Sequence, residues 1–189
     1  MKHNNKLRPF LLGSAAVLAG GLVIAGCQHQ PAHADEKTAV TNSLSNNNLS
    51  SVSVSQDRDK GVMTLTGDLT SDDQKAQAEN LAKQSAPDYT IADEIGVRPL
   101  GEQSQASAVD SNLDSGIEDN FKAEIKAHKS LDDQSIHAKA KNGTLVLTGS
   151  VKTSNQKKEA ESLAKKVPNV QQVVNELEVR PGKHTTANS

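Results

Sequence analysis

Ile117, Phe121 and Ile125 recur every four residues, with Glu118 and Glu124 beside them, which gives a narrow apolar stripe at helical spacing. Downstream, Ile136, Ala138 and Ala140 alternate with polar residues, then Asn142-Gly143 precedes Thr144-Leu145-Val146-Leu147-Thr148. Asn-Gly between two β-rich runs predicts a tight hairpin. Thr153-x-x-Gln156 has the form of a capping box ahead of Ala160, Leu163, Ala164 and Val167, so a second helix is expected. Pro168-Asn169 stops it, and Val173, Leu177 and Val179 alternate as a last strand. The predicted order is α-β-β-α-β.

The same order occurs twice. Shifted by 82 positions, residues 61–99 align with 143–181 without a gap, sharing 15 residues of 39, among them Leu65-Thr66-Gly67 with Leu147-Thr148-Gly149 and Val97-Arg98-Pro99 with Val179-Arg180-Pro181. This is a tandem duplication. Copy one covers 36–99, copy two 115–181, and the Ser-, Gln- and Asp-rich stretch 100–114 between them is expected to be a flexible linker. Residues 182–189 form an expected disordered tail. Copy one opens its hairpin with a longer loop, Gln56 to Gly61, and begins its second helix at Ser71-x-x-Gln74. Its first helix, drawn from 36–49, contains Asn42, Asn46, Asn47 and Asn48, all poor helix formers. Leu, Ile, Val and Phe are 12 of 64 residues in copy one and 16 of 67 in copy two, which predicts a thinner and less stable first core. The fold class is α+β: two small αββαβ sandwiches, each with two helices on one face of a three-stranded sheet.

The first residues read differently. Lys2, Lys6 and Arg8 precede a charge-free run over 10–26, too short and Gly-rich for a membrane span, so 1–26 has the form of a signal peptide. The run ends in Ile24-Ala25-Gly26-Cys27, which resembles the bacterial lipobox, and the resemblance implies a lipidated Cys27 followed by a polar tether over 27–35. Cleavage after Ala32-His33-Ala34 is an alternative that would discard Cys27. Among proteobacterial lipoproteins, Gln28 in place of Asp implies the periplasmic face of the outer membrane. Multiple acyl chains, at about 0.8 kcal/mol per buried CH₂, hold a protein on a bilayer without help from its domains.

The run from Asn142 to Val151, then Ala160-x-x-Leu163-Ala164, then Val170-x-x-Val173-Val174-Asn175-x-Leu177-x-Val179, resembles the BON domain, named for bacterial OsmY and nodulation proteins. With the lipobox ahead of two such units, the chain resembles the dual-BON periplasmic lipoproteins. The resemblance implies an envelope protein, phospholipid binding in several members, and no enzyme.

The candidate chemistry points the same way. The lone Cys excludes an internal disulfide and a CxxC site, and no catalytic motif accompanies His128 or His137. No cofactor and no metal is expected, and His128 is read as a solvated residue at a helix end. Beyond residue 26 the chain holds 18 basic and 23 acidic groups (21 less Lys2, Lys6 and Arg8, against 23), and it has almost no aromatics for base stacking, which argues against nucleic acid. Charge is uneven: copy one has 6 basic and 10 acidic residues, copy two 11 and 9. Lys122, Lys126 and Lys129 flank Phe121 on the first helix of copy two, and these four residues are the candidate site for anionic phospholipid. Lys157, Lys158, Lys165 and Lys166 decorate the next helix, and the plain alternative is a solvated face interleaved with glutamates. A second functional class is an adaptor binding another envelope protein or peptidoglycan through exposed strands or acidic copy one. Cys27→Ser is expected to move the protein from the membrane fraction to the extract and to remove the lipid mass. An unchanged membrane fraction and intact mass would place the processing site at Ala34.

Overall fold

A computed structural model describes residues 32–101 and 103–181. The expected signal peptide, Cys27 and the expected tail 182–189 lie outside the described residues. Asn142 and Gly143 both have positive φ, 48° and 79°, as a two-residue primed turn requires, and they join β4 (Ser135–Lys141) to β5 (Thr144–Val151). That turn fixes the register, with Lys141 opposite Thr144 and Ala138 opposite Leu147. In copy one a four-residue loop joins β1 (Ser53–Asp57) to β2 (Val62–Leu69), with Asp57 opposite Val62.

A helix then crosses over each sheet, so the last strand returns parallel to the middle one. In copy one α2 (Asp72–Ser85) leads to β3 (Thr90–Val97), giving the order β1-β2-β3. In copy two α4 (Ser154–Ala164) leads to β6 (Gln172–Asn175) and β7 (Glu178–Val179), both parallel to β5. The expected single last strand of copy two is thus broken, where the Asn175 side chain accepts from Leu177 N at 3.2 Å. Thr153 and Gln156 form the full reciprocal capping box. In copy one only half of it exists: Ser71 accepts from Gln74 N, while the Gln74 side chain turns to Thr70 N and Oγ1.

The first helix of copy one, α1 (Lys37–Asn46), uses its asparagines as a stop signal. Asn48 sits at φ 61° where glycine commonly ends a helix, and Leu49 N donates back to Leu44 O. Leu44 and Leu49 are both buried in the core, the apolar contact that accompanies this motif. Copy one's core is not thin. Met63, Tyr89 and Ala78, Ala82 and Ala86 fill the space around Leu65 and Ile95, and none of these residue types enters a count of Leu, Ile, Val and Phe.

The expected flexible linker is helical. In copy two α3 runs from Gln103 to Ala127, 25 residues or about 37 Å at 1.5 Å per residue, without a break before the Ile117/Phe121/Ile125 stripe. The serines that suggest a linker donate to their own helix, Ser111 Oγ to Ser107 O and Ser115 Oγ to Ser111 O. The aspartates find tertiary donors: Asp114 accepts from Asn142 N and Gly143 N, and Asp110 lies 3.9 Å from Arg98.

The copies pack together within a single compact unit. Their helices cover one face of each sheet, and the opposite faces meet through Val62 and Ala92 of copy one and Val146 and Val174 of copy two. The Gln172 side chain continues this contact along the free edge of β3, donating to Ile91 O and accepting from Asp93 N, both at 2.8 Å, as a neighbouring strand would. Thr144 Oγ1 donates to Asp93 O, Asn142 Nδ2 to Glu94 O, and Lys60 pairs with Glu176 at 2.6 Å.

Gly67 and Gly149 occupy matching positions inside β2 and β5, with φ of 129° and 108°. A Cβ would collide with the carbonyl oxygen of Ser51 at Gly67 and of Ser135 at Gly149. Gly149→Ala is therefore expected to lower the unfolding free energy by about 2–3 kcal/mol, through backbone strain and a clash that no side chain can relieve. Urea unfolding of both proteins checks this, and an unchanged midpoint would remove the requirement for glycine.

Candidate functional site

The long helix α3 presents two chemistries. Its inner face, Ile117, Phe121 and Ile125, is 1%, 2% and 9% exposed and belongs to the core of copy two with Leu145, Leu147 and Leu163. Phe121 thus supports the sheet rather than standing beside the lysines at the surface. Lys122, Lys126 and Lys129 all project into solvent, and among the described residues none forms an ion pair. Lys122 and Lys126 thus lie at i, i+4 on one side of α3, whereas Lys129, expected on the same helix, falls in the turn beyond its end at Ala127. In the other basic set Lys165 is bound to Glu161 at 2.6 Å and holds that carboxyl below its ordinary value, while Lys157, Lys158 and Lys166 form no ion pair among the described residues.

His128 immediately follows α3, and its Nδ1 lies 2.8 Å from Glu124 O, so the ring caps a terminal carbonyl as the helix dipole favours. His33 was expected in a polar tether. It is instead fixed to copy one, donating from its backbone to Arg58 O, accepting from Arg58 Nε at 3.0 Å and lying against Tyr89 with ring centroids 5.3 Å apart. Tyr89 donates to Ala34 O, and Gln56 holds Asp35 at 2.8 Å.

Between α3 and β4 lies a groove of about 410 Å³, walled by Phe121, Lys122, Ile125 and Lys126 on the helix and by Ile136, His137 and Ala138 on the strand. Two of the lysines selected from the sequence, Lys122 and Lys126, therefore border a concavity as well as a surface. No signal in the helical periodicity reveals this, because the groove depends on how far α3 stands from the edge of the sheet.

The junction of the copies holds two acids that sequence reading passed over. Asp93 is 5% exposed, its carboxylate accepts from Ile95 N at 3.1 Å, and burial raises its pKa while Lys75 opposes the rise. Glu94 is likewise raised by burial, with Lys141 at 3.7 Å opposing. The residue of copy two that aligns with Asp93 is Asn175, which makes the same turn of hydrogen bond to Leu177 N without a charge.

Both copies match the model of the BON domain, over residues 34–99 and 113–181. The chain belongs to the BON-domain family. Among curated proteins it is 27% identical to Osmotically-inducible protein Y of Escherichia coli (strain K12) over 137 residues, covering 72% of this chain and 67% of that one. Among solved structures, CdsD, a structural protein of the type III secretion system of Chlamydia trachomatis, is 13% identical with a TM-score of 0.30 over 78% of this chain and 63% of that one. The C-terminal domain of CdsD gives 13% and 0.28 over 77% and 65%. The BON-domain chain spans under two thirds of either, and likeness at those scores adds nothing to the fold described above. Among the described residues, no helix is long and apolar enough to cross a membrane.

The folded BON pair holds the Asp93 proton to higher pH than the unfolded chain, whose carboxyl titrates near 3.8. Asp93 therefore contributes stability that is greatest below that value and declines as pH rises through the raised folded pKa. Asp93→Asn retains an acceptor for Ile95 N and removes the buried charge. It is expected to raise stability at neutral pH and to flatten the decline above pH 3.8, with Glu94 supplying what slope remains. Urea midpoints across pH check this, and a destabilised variant with the original slope would show that the Asp93 charge is compensated.

Proposed function

We propose that this protein is exported, held in the cell envelope through a lipidated Cys27, and binds anionic phospholipid surfaces without catalysis through Lys122 and Lys126 of α3 and Lys129 in the turn that follows it. The observation that carries this reading is the absence of an ion pair, among the described residues, at these three exposed lysines around the end of α3, against an acidic copy one. Each Lys near an anionic membrane contributes about 1 kcal/mol, screened within a Debye length by salt. Phe121, at 2% exposure, is too deep to insert, so the contact is electrostatic and peripheral. The periplasmic face of the outer membrane is the expected site, from Gln28 after the lipobox. A role in envelope integrity under osmotic or other stress is supported by family membership and by the name of the osmotically inducible relative.

The test is co-flotation of residues 28–189, which include the whole compact unit but lack Cys27, with anionic and zwitterionic vesicles at low and high salt. Binding to anionic vesicles alone, weakened by salt, is expected. Lys122→Glu, Lys126→Glu and Lys129→Glu together are expected to weaken it by about two orders of magnitude, from a loss of about 3 kcal/mol. Binding unaffected by the triple reversal would remove α3 from the site.

A further inference from the structure

An edge strand needs something beside it, and the two copies meet this need unequally. In copy one the incoming chain lies against the end of β1, with His33 N donating to Arg58 O and Asp35 held by Gln56. In copy two the corresponding stretch is wound into α3, so among the described residues no extended segment runs beside β4. Glu118 reaches from α3 to one edge position only, accepting from Ala140 N at 2.9 Å. Alternate residues of a strand point their N–H and C=O groups to the same side, so Ile136 and Ala138 share the outward direction of Ala140. Both line the 410 Å³ groove.

We infer that this groove is a docking site for an extended peptide segment of a protein partner, which adds to copy two as a strand beside β4. Main-chain hydrogen bonds to Ile136 and Ala138 supply the attachment, and alternate side chains supply selectivity. One face of the added strand enters the groove over Phe121, Ile125 and Ile136 and calls for apolar side chains. The other lies next to the exposed face of β4, where His137, Lys139 and Lys141 alternate; the residues opposite them on β5, Thr148, Val146 and Thr144, carry no acid, and the carboxylates that reach this row, Glu118 to Lys139 at 3.4 Å and Glu94 to Lys141 at 3.7 Å, leave both lysines half or more exposed. Acidic side chains fit there, since opposite charges on neighbouring strands attract. Glu118 is already engaged by Ala140 N and by Lys139 at 3.4 Å, which leaves Asp119 and Asp132 as the opposing carboxylates of the lining. A second copy of β4 is a poor occupant: antiparallel pairing about Ala138 would set His137 against Lys139 of the other chain.

The probe is a fluorescent heptapeptide, Glu-Val-Glu-Val-Glu-Val-Glu, titrated into residues 28–189. The controls are the same peptide N-methylated at alternate residues in each of the two registers, and Lys-Val-Lys-Val-Lys-Val-Lys. Binding of the acidic peptide is expected, with slowed hydrogen exchange at the Ile136 and Ala138 amides. One N-methylated register and Ala138→Pro should each weaken it at least tenfold, since proline removes the outward N–H and edge strands tolerate it. Vesicle binding by Ala138→Pro should be unchanged, which separates this site from the lysine contact. Should Ala138→Pro fail to fold, the N-methylated peptides decide the matter on the unaltered protein. Binding that ignores N-methylation, no binding at millimolar peptide, or a concentration-dependent dimer that protects the same amides would each overturn the inference.

Discussion

Each small sheet has a pair of helices for one face and nothing of its own for the other, and the molecule is organised by how that second face is covered. Neither sheet has enough apolar surface there to form a core alone: copy one offers Val62 and Ala92, copy two Val146 and Val174. Brought together, these four residues exclude water from the centre of the junction, and polar side chains complete it. Gln172 is the most demanding of these, because its amide must satisfy both Ile91 O and Asp93 N in the geometry of a strand. Leaving those two groups buried without partners would cost about 1–3 kcal/mol each.

That junction explains why α3 is continuous. With the sheets face to face, the start of α3 is close enough for Asp110 to approach Arg98 and for Asp114 to hold the Asn142-Gly143 turn. A helix anchored at its side by both copies has less reason to unwind than one hanging free in solvent. The same helix carries Lys122 and Lys126, with Lys129 in the turn just after it, so the orientation of the helix lysines is fixed to the whole pair of domains. A membrane contact at α3 would accordingly orient copy one as well as copy two.

Much of this was legible in the sequence, and the misses share a cause. The Asn-Gly turn, the Thr153/Gln156 cap, the αββαβ order and the buried Ile117/Phe121/Ile125 stripe all depend on neighbours within a few residues, which periodicity and turn chemistry report directly. The linker failed because Ser and Asp were read by composition, whereas their partners, Ser hydroxyls to carbonyls one turn back and Asp114 to a distant hairpin, decide the conformation. Copy one's core was undercounted because Tyr89, Met63 and three alanines pack as well as branched residues do in a narrow space. At the candidate site, spacing revealed the lysines but gave no sign of the groove beside them, and it grouped Phe121 with the surface although the helix turns it inward. Asp93 gave no signal of burial, since α2 of its own copy and Thr144 and Gln172 of copy two close over it together.

The contacts between the copies have a further property. Position 60 aligns with 142, and 94 with 176: Lys60 reaches Glu176, while Asn142 reaches Glu94, and the aligned residues Ala92 and Val174 pack in the same cluster. Residue i thus meets j as j meets i, the signature of an isologous two-fold interface, here formed within one polypeptide. The protein is in effect a homodimer whose subunits have been joined end to end. Joining them replaces a concentration-dependent encounter with an intramolecular one, so the pairing persists however dilute the protein becomes. It also releases the halves from identity. Gln172 aligns with Thr90, Asn175 with Asp93, and a lysine-bearing helix with an asparagine-rich one, divergences that a true homodimer, obliged to repeat every change twice, could not make on one side alone.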